Sequence, residues 1–403
     1  MKRHEHLDIV LRILQYAWGG HDKTSLDSLK KDISEKLTQK DFANYPKLCD
    51  ISPLLYTVIK DNNQLYQITP QHIFDSFKFM YYAQVKRCIL QYDQLSSVLE
   101  AFNEIKCQVM LLKGFALSKV VYQNFGVRPM SDIDLLVKKK YFNQATEIIS
   151  SLGFKAIINP KFSGPIAEHA YHIQFLKVFN NQHIILELHH DLSNETHQFN
   201  TAEYWNRAQQ YVFDKNNALV MEANDLLVYL SLHSARHNYK RLLWLCDLAQ
   251  VIIVYKDTLH WDKLVRISHE AKSNIALFYS IYLISHFFHL DIPPDWNLND
   301  LSTPFISRYW LEKILINHIN NGLRLNKKNN VIAFVTRLMI APGIMSKTNV
   351  VNDYIKLLIF RNTDDLKKRY NIQSNIALNI IRFAFPFIIL FRAIAEIIQR
   401  PQK

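Results

Sequence analysis

Hydrophobic spacing changes twice along the chain. Over residues 1–98 it is helical. Leu7, Val10, Leu11 and Leu14 recur at helical intervals, with Trp18 one turn further on. Phe74, Phe77, Met80, Tyr81, Val85 and Cys88 form a second stripe that runs on toward Leu99 and Phe102, as a core-facing helix would. Pro53 and the Thr69-Pro70 step punctuate this part. From Val109 the period shortens. Val109–Leu112 reads as a strand, Phe115–Tyr122 as a helix and Ile133–Val137 as a second strand. Tyr141–Leu152 is amphipathic, and Gly153 closes it. Phe154–Ile158, Tyr171–Val178 and His183–Leu188 read as further strands, with Asn180-Asn181 as the turn between the last two. Past residue 222 the helical period returns and holds to the end, with breaks at Pro293-Pro294 and Pro342-Gly343.

This succession predicts an α+β protein, a small mixed β-sheet core flanked by N-terminal and C-terminal helical regions. The expected boundaries are 1–98 for the first helical region, 99–215 for the core, 216–300 for the helices that close over it, and 301–403 for a basic helical C-terminal region.

Composition sharpens this picture. With 403 residues, 49% of them hydrophobic, the chain can bury a large core. Only 8 glycines fits a mostly helical protein. Cys49, Cys88, Cys107 and Cys246 are far apart and form no Cys-x-x-Cys, so neither a zinc ribbon nor a redox motif is indicated. The first residues, Met1 to His6, lead into no continuous apolar stretch, so no signal peptide is read and a reducing cytoplasm is the expected location. The net charge of +12 is concentrated at one end: residues 301–403 hold 16 Lys/Arg against 5 Asp/Glu. That asymmetry points to RNA or an anionic membrane surface as a partner, the latter at the inner membrane face, with a solvated basic surface as the alternative. The most apolar C-terminal stretch, Ile376–Ile398, carries Arg382, Arg392 and Glu396. Its run free of polar side chains, Phe383–Phe391, is too short to span a bilayer.

The candidate chemistry lies in the middle. In Ser131-Asp132-Ile133-Asp134-Leu135-Leu136-Val137 the two carboxylates are two residues apart, so a strand puts both on one face and Ile133 and Leu135 on the other. Two like charges held together call for a cation, and Mg²⁺ takes one or two carboxylates plus substrate phosphates. Ile184–Asp191 is another alternating strand, with Glu187 and His189 opposite Leu186 and Leu188. Glu187 is therefore the candidate third carboxylate. His189 either binds substrate, orients a carboxylate or is structural. Lys113-Gly114, between a strand and a helix, suits a phosphate: glycine admits close approach, the helix start favours anions and Lys113 adds charge. Arg128 could reach the same phosphates. His233, His237 and Arg241 follow at i, i+4, i+8 and can share a helical face, for nucleotide contact or, less readily, for a metal. Asp247 reads as a structural partner of Arg241 or Lys240.

Leu111-Leu112-Lys113-Gly114, Arg128, Asp132-Ile133-Asp134-Leu135-Leu136-Val137, Glu187-Leu188-His189 and the His233, His237, Arg241-Leu242, Trp244-Leu245, Asp247-Leu248 pattern together resemble the bacterial uncharacterised nucleotidyltransferase family of the DNA polymerase beta-like superfamily. The resemblance covers roughly residues 50–300. It implies a Mg²⁺-dependent enzyme with two ions, Mn²⁺ as the alternative, held by Asp132, Asp134 and Glu187. It implies an NTP such as ATP whose triphosphate meets the Lys113-Gly114 loop; Arg128, His189, His237 and Arg241 are the further nucleotide-binding candidates offered by the residues themselves. Family members stand beside genes for surface polysaccharides and modified peptides, which implies a small-molecule, glycan or peptide acceptor. Three features depart from the superfamily pattern. Phe115 replaces the usual small residue after the glycine, the interval from Gly114 to Asp132 is longer, and the third carboxylate is Glu rather than Asp.

The expected activity is transfer of an NMP from an NTP to an unknown acceptor. A toxin-like enzyme acting on RNA ends and a catalytically silent nucleotide-binding scaffold are the alternatives.

Overall fold

The computed structural model describes residues 5–18, 26–36, 50–157, 172–192, 199–316 and 330–359. The apolar stretch Phe383–Phe391 and Cys49 lie outside them. The N-terminal helices are α1 (Glu5–Ala17), α2 (Leu26–Lys36), α3 (Ser52–Asp61), α4 (Asn63–Ile68) and the long α5 (Gln71–Glu104). Proline at the start of α3 and the Asn62 side chain, which accepts from the Leu65 amide ahead of α4, set two of these boundaries. The central region runs β1 (Val109–Leu112), α6 (Lys113–Val120), β2 (Asp132–Val137), α7 (Phe142–Ser151), β3 (Lys155–Ala156), β4 (His172–Phe179), β5 (Gln182–His189), α8 (Thr201–Arg207), β6 (Gln209–Phe213) and β7 (Asn216–Val220). Helices follow: α9 (Ala223–Arg236), α10 (Leu242–Tyr255), α11 (Trp261–Glu270), α12 (Asn274–Phe288), α13 (Phe305–Trp310), α14 (Asn330–Ile340) and α15 (Gly343–Ile359).

The seven strands form one mixed sheet in the order β3-β4-β5-β2-β1-β7-β6. β2 pairs antiparallel with β1 and parallel with β5, which puts it in the middle. The β4–β5 hairpin turns at Asn180 and Asn181, both at positive φ (48° and 59°), as a tight two-residue hairpin requires. Gly153 ends α7 at φ 86°. The β6–β7 hairpin was not foreseen. Its strands carry Gln209, Gln210, Asn216 and Asn217, and the exposed Val212 marks an edge strand whose alternation is weak. Residue 215 falls in its turn, so the sheet continues to Val220, and α5 runs unbroken across residue 98.

Side-chain alternation divides the sheet into two faces. Val109, Leu111, Ile133, Leu135, Ile184, Leu186 and Leu188 pack against Leu95, Val98, Leu99 and Phe102 of α5 and Ala145 and Ile149 of α7. Met110, Leu112 and Leu136 point the other way, into the larger core built with α9, α10 and α12. Asp132 and Asp134 share that second face, so the carboxylates lie under the C-terminal helices, as the spacing of β2 requires. Among the described residues no helix is long and apolar enough to cross a membrane.

Candidate functional site

Register brings the polar residues together. Asp134 and Glu187 are direct partners across the parallel β2–β5 pair, and Glu187 is in turn opposite Gln174 on β4. One rung further, His189 lies opposite His172. Gln174 donates to Glu187 Oε1 at 3.1 Å, and the His172 and His189 rings stack with centroids 5.0 Å apart. His189 Nε2 stands 3.5 Å from Asp134 Oδ1 and 3.6 Å from Glu187 Oε2. These are charge contacts rather than well-formed hydrogen bonds.

Lys113 closes the cluster from the side. Its ammonium is 2.5 Å from Asp134 Oδ1, with 14% of the lysine side chain and 1% of the aspartate exposed. Helix α6 begins at Lys113 itself, two residues earlier than the apolar pattern predicts. Lys113 has φ 43°, a left-handed conformation that costs a non-glycine residue about 1–3 kcal/mol. Gly114 follows it under tight restriction: a Cβ there would come within 2.8 Å of the buried Met130 side chain and 3.3 Å of Arg128 Nη1.

Charge regulation within the cluster is strong. Burial works against the Asp134 carboxylate, but Lys113 and His189 outweigh it and hold the group well below the usual carboxylate range. Glu187 is lowered likewise: burial and Asp134 push it up, while His189 and Lys113 prevail. Asp132 moves the other way. Burial and the neighbouring Asp134 raise it above its ordinary value, against Lys113 and a hydrogen bond of 2.9 Å from Ser131. His189 is raised because Asp134 and Glu187 overcome its burial.

Asp134, Glu187 and His189 each offer a donor atom, and the three lie within 4.8 Å of one another. His189 Nε2 is buried without a hydrogen-bond partner among the described residues, and the buried Asp134 Oδ1 is met by the Lys113 ammonium and that imidazole. Buried polar atoms of this kind suit a cation more than an apolar filling. Two carboxylates and an imidazole form a donor set that a divalent ion fits. Asp132 shares the sheet face and the electrostatics, but not this converging group. His189, expected on the nucleotide, lies within this converging group.

A model of the family described as "Uncharacterised nucleotidyltransferase" matches residues 35–289, well over half of the chain. The chain belongs to that family. Neither a curated protein nor a solved structure matches it.

The matched segment runs to the end of α12, and its helix α9 packs on the sheet face that carries Met110, Leu112 and Leu136. Tyr229 and His233 lie one turn apart on α9, and His237 caps its C-terminal end. Burial, reinforced by Asp134 and Glu187 against Lys113 and Arg236, pushes the Tyr229 hydroxyl up to about 12. Burial lowers both histidines and the Lys113 charge adds to it, as fits a wall facing the carboxylate cluster. The His233 and His237 rings are 4.8 Å apart, and each lies 5.2 Å from Trp244 on α10. His237 stays solvent-accessible, yet surrounding protein together with Arg236, Lys113, Arg337 and Lys240 lowers it to about 4, so it is neutral near pH 7.

Two arginines expected on phosphate already have carboxylate partners. Arg128 is buried and grips Asp247 through Nε and Nη2 at 2.9–3.1 Å, with Tyr122 donating to the same carboxylate at 2.9 Å. Arg241 donates from Nε to Asp50 at 2.9 Å and lies over Trp244. Asp247 is thus structural, but its partner is Arg128 rather than Arg241 or Lys240: a buried guanidinium needs a buried counter-charge. Tyr229, Gln174 and His172 were missed by sequence reasoning. Tyr229 was within reach, one turn before His233 on the same stripe. Gln174 and His172 depend on the β4–β5 register, which the Asn180-Asn181 turn fixes.

Proposed function

We propose that this cleft transfers an NMP from an NTP to a hydroxyl or phosphate acceptor, with a divalent cation held by Asp134, Glu187 and His189. The observation that carries the reading is the convergence of those three side chains on one sheet rung and the next, under a helical wall. The imidazole favours a transition-metal ion over Mg²⁺, and the two carboxylates keep Mn²⁺ among the candidates. Such an ion, when bound, polarises the α-phosphate and neutralises charge on the leaving oxygen.

The chain's own residues supply the rest. The acceptor oxygen attacks the α-phosphorus, and the bond to the β-phosphate oxygen breaks, sending its electron pair out with pyrophosphate. Asp132, raised by burial and Asp134 yet outside the donor group, is suited to take the acceptor's proton. Trp244 with the neutral His233 and His237 offers flat surfaces for a base. Arg236 and Arg337 supply cations for the phosphates. Arg337 Nε reaches the Arg236 carbonyl at 3.4 Å, and among the described residues neither guanidinium has a carboxylate partner. The clustering of charged donors favours an enzyme over a silent scaffold. The acceptor we favour is a small molecule, glycan or peptide.

Parallel incubations of the protein and cell extract with α- and γ-labelled ATP test this. Nucleotidyl transfer moves the α label into an acceptor and releases the γ label as pyrophosphate. Entry of the γ label into an acceptor would instead mean phosphoryl transfer and would overturn the reading.

A further inference from the structure

The cation that touches Asp134 in this structure is a lysine. Lys113 Nζ is 2.5 Å from Asp134 Oδ1, the same oxygen that faces His189 Nε2. The ammonium and the imidazole therefore share one carboxylate oxygen of the donor cluster. The ammonium's position is imposed by the chain, because Lys113 is the first residue of α6 and holds a left-handed φ of 43° directly after β1. Asp134 is buried and lies beside Glu187 and Asp132, so the free protein needs positive charge at this point. A divalent ion held by Asp134 Oδ1 would contact the same oxygen that the Lys113 ammonium now meets. An ammonium at 2.5 Å from the same oxygen would then repel it at close range.

We propose that Lys113 is a resident counter-ion of the metal site: its ammonium neutralises Asp134 in the free protein, and a divalent cation enters only as Lys113 moves off that carboxylate. This rests on the metal reading of the cluster given above. A nucleotide's phosphates offer the displaced ammonium a new partner. Nucleotide and cation therefore strengthen one another's binding, and the coupling is reciprocal. The cation alone binds weakly because it must break the Lys113–Asp134 pair. Lys113 is a positioning residue here, acting through Asp134.

The test is Mn²⁺ binding followed by electron paramagnetic resonance, with and without the non-transferable analogue α,β-methylene-ATP. The proteins are the full chain and its Lys113→Met and Lys113→Gln variants. Glutamine keeps a neutral donor near Asp134 should the methionine variant fail to fold. Without nucleotide, the folded variants should bind Mn²⁺ at least tenfold more tightly than the parent. The analogue should strengthen Mn²⁺ binding in the parent by tenfold or more and in the variants by much less. Melting temperature gives a second readout: the variants should melt lower than the parent without Mn²⁺ and gain more from its addition. Mn²⁺ bound by the parent and no more tightly by the variants would overturn the Lys113 proposal while leaving the metal reading standing. No Mn²⁺ binding by any of the three folded proteins would overturn both.

Discussion

Arg128 and Asp247 are joined by paired hydrogen bonds inside the protein, 119 residues apart in sequence, and the bond fastens the loop after α6 to helix α10. Arg128 Nη1 lies beside Gly114, so this pair buttresses the start of the helix that carries Lys113. Removing one member of a buried pair leaves the other charge unmatched, at about 3–5 kcal/mol. Asp247→Asn should therefore lower the melting temperature sharply, and Arg128→Lys should lose part of the same stability because one ammonium cannot replace two parallel bonds. Chemical denaturation of both variants checks this. Near-parental stability of Asp247→Asn would show that the pair is dispensable.

Gly114 is a steric requirement. A methyl group at this position meets Met130, which is itself buried. Gly114→Ala should cost about 1–3 kcal/mol by overpacking, measurable by the same denaturation. Trimming Met130 to Ala in the Gly114→Ala background should return part of that loss.

Acid sensitivity should track His233 and His237. His237 is lowered to about 4 and His233 well below its usual value, both chiefly by burial. An unfolded histidine titrates near 6.5. Between those values the unfolded chain binds protons that the folded protein does not, so stability falls as pH drops from about 6.5 toward 4 and is complete above that window. Replacing both histidines with Asn should flatten melting temperature against pH across this range. The exposure of His237 makes its share the smaller one. An unchanged slope would mean that other groups govern the acid limb.

Gln174 should matter through Glu187. It donates to Glu187 Oε1, and a partner of this kind, which orients a metal ligand, is worth about 10–100-fold in metal affinity. Gln174→Leu should weaken Mn²⁺ binding within that range and leave the fold intact, since the strand is held by its backbone pairing. Asp132→Asn makes the contrast: Mn²⁺ binding should survive while transfer is lost.

How far the sequence foretold this arrangement depended on whether the physics was local. The alternation of Asp132, Ile133, Asp134 and Leu135 fixes which face each side chain takes, and that reading carried straight into the sheet. Glu187 followed by the same rule, and its direct pairing with Asp134 is a matter of register. The β6–β7 hairpin was hidden because its polar edge strands lack a clean apolar stripe. Arginine roles were the least legible. The sequence offers Arg128, close before Asp132, and Arg241, on the His233-His237 spacing, as cations for phosphate. That Asp247 and Asp50 would engage them depends on contacts spanning 119 and 191 residues. Lys113 was legible as a charge near phosphate. Its grip on Asp134 follows from the antiparallel β1–β2 register, which sets Leu112 opposite Asp134.

The most direct measurement is the initial rate of α-label transfer by Asp134→Asn and Glu187→Gln beside the parent protein, with circular dichroism confirming that all three are folded. Each variant removes a carboxylate charge from the converging group, so the loss should exceed the roughly 10–100-fold that a partner outside the donor group would cost. Transfer by either folded variant within a few-fold of the parent rate would contradict the assignment of this cluster as the catalytic centre.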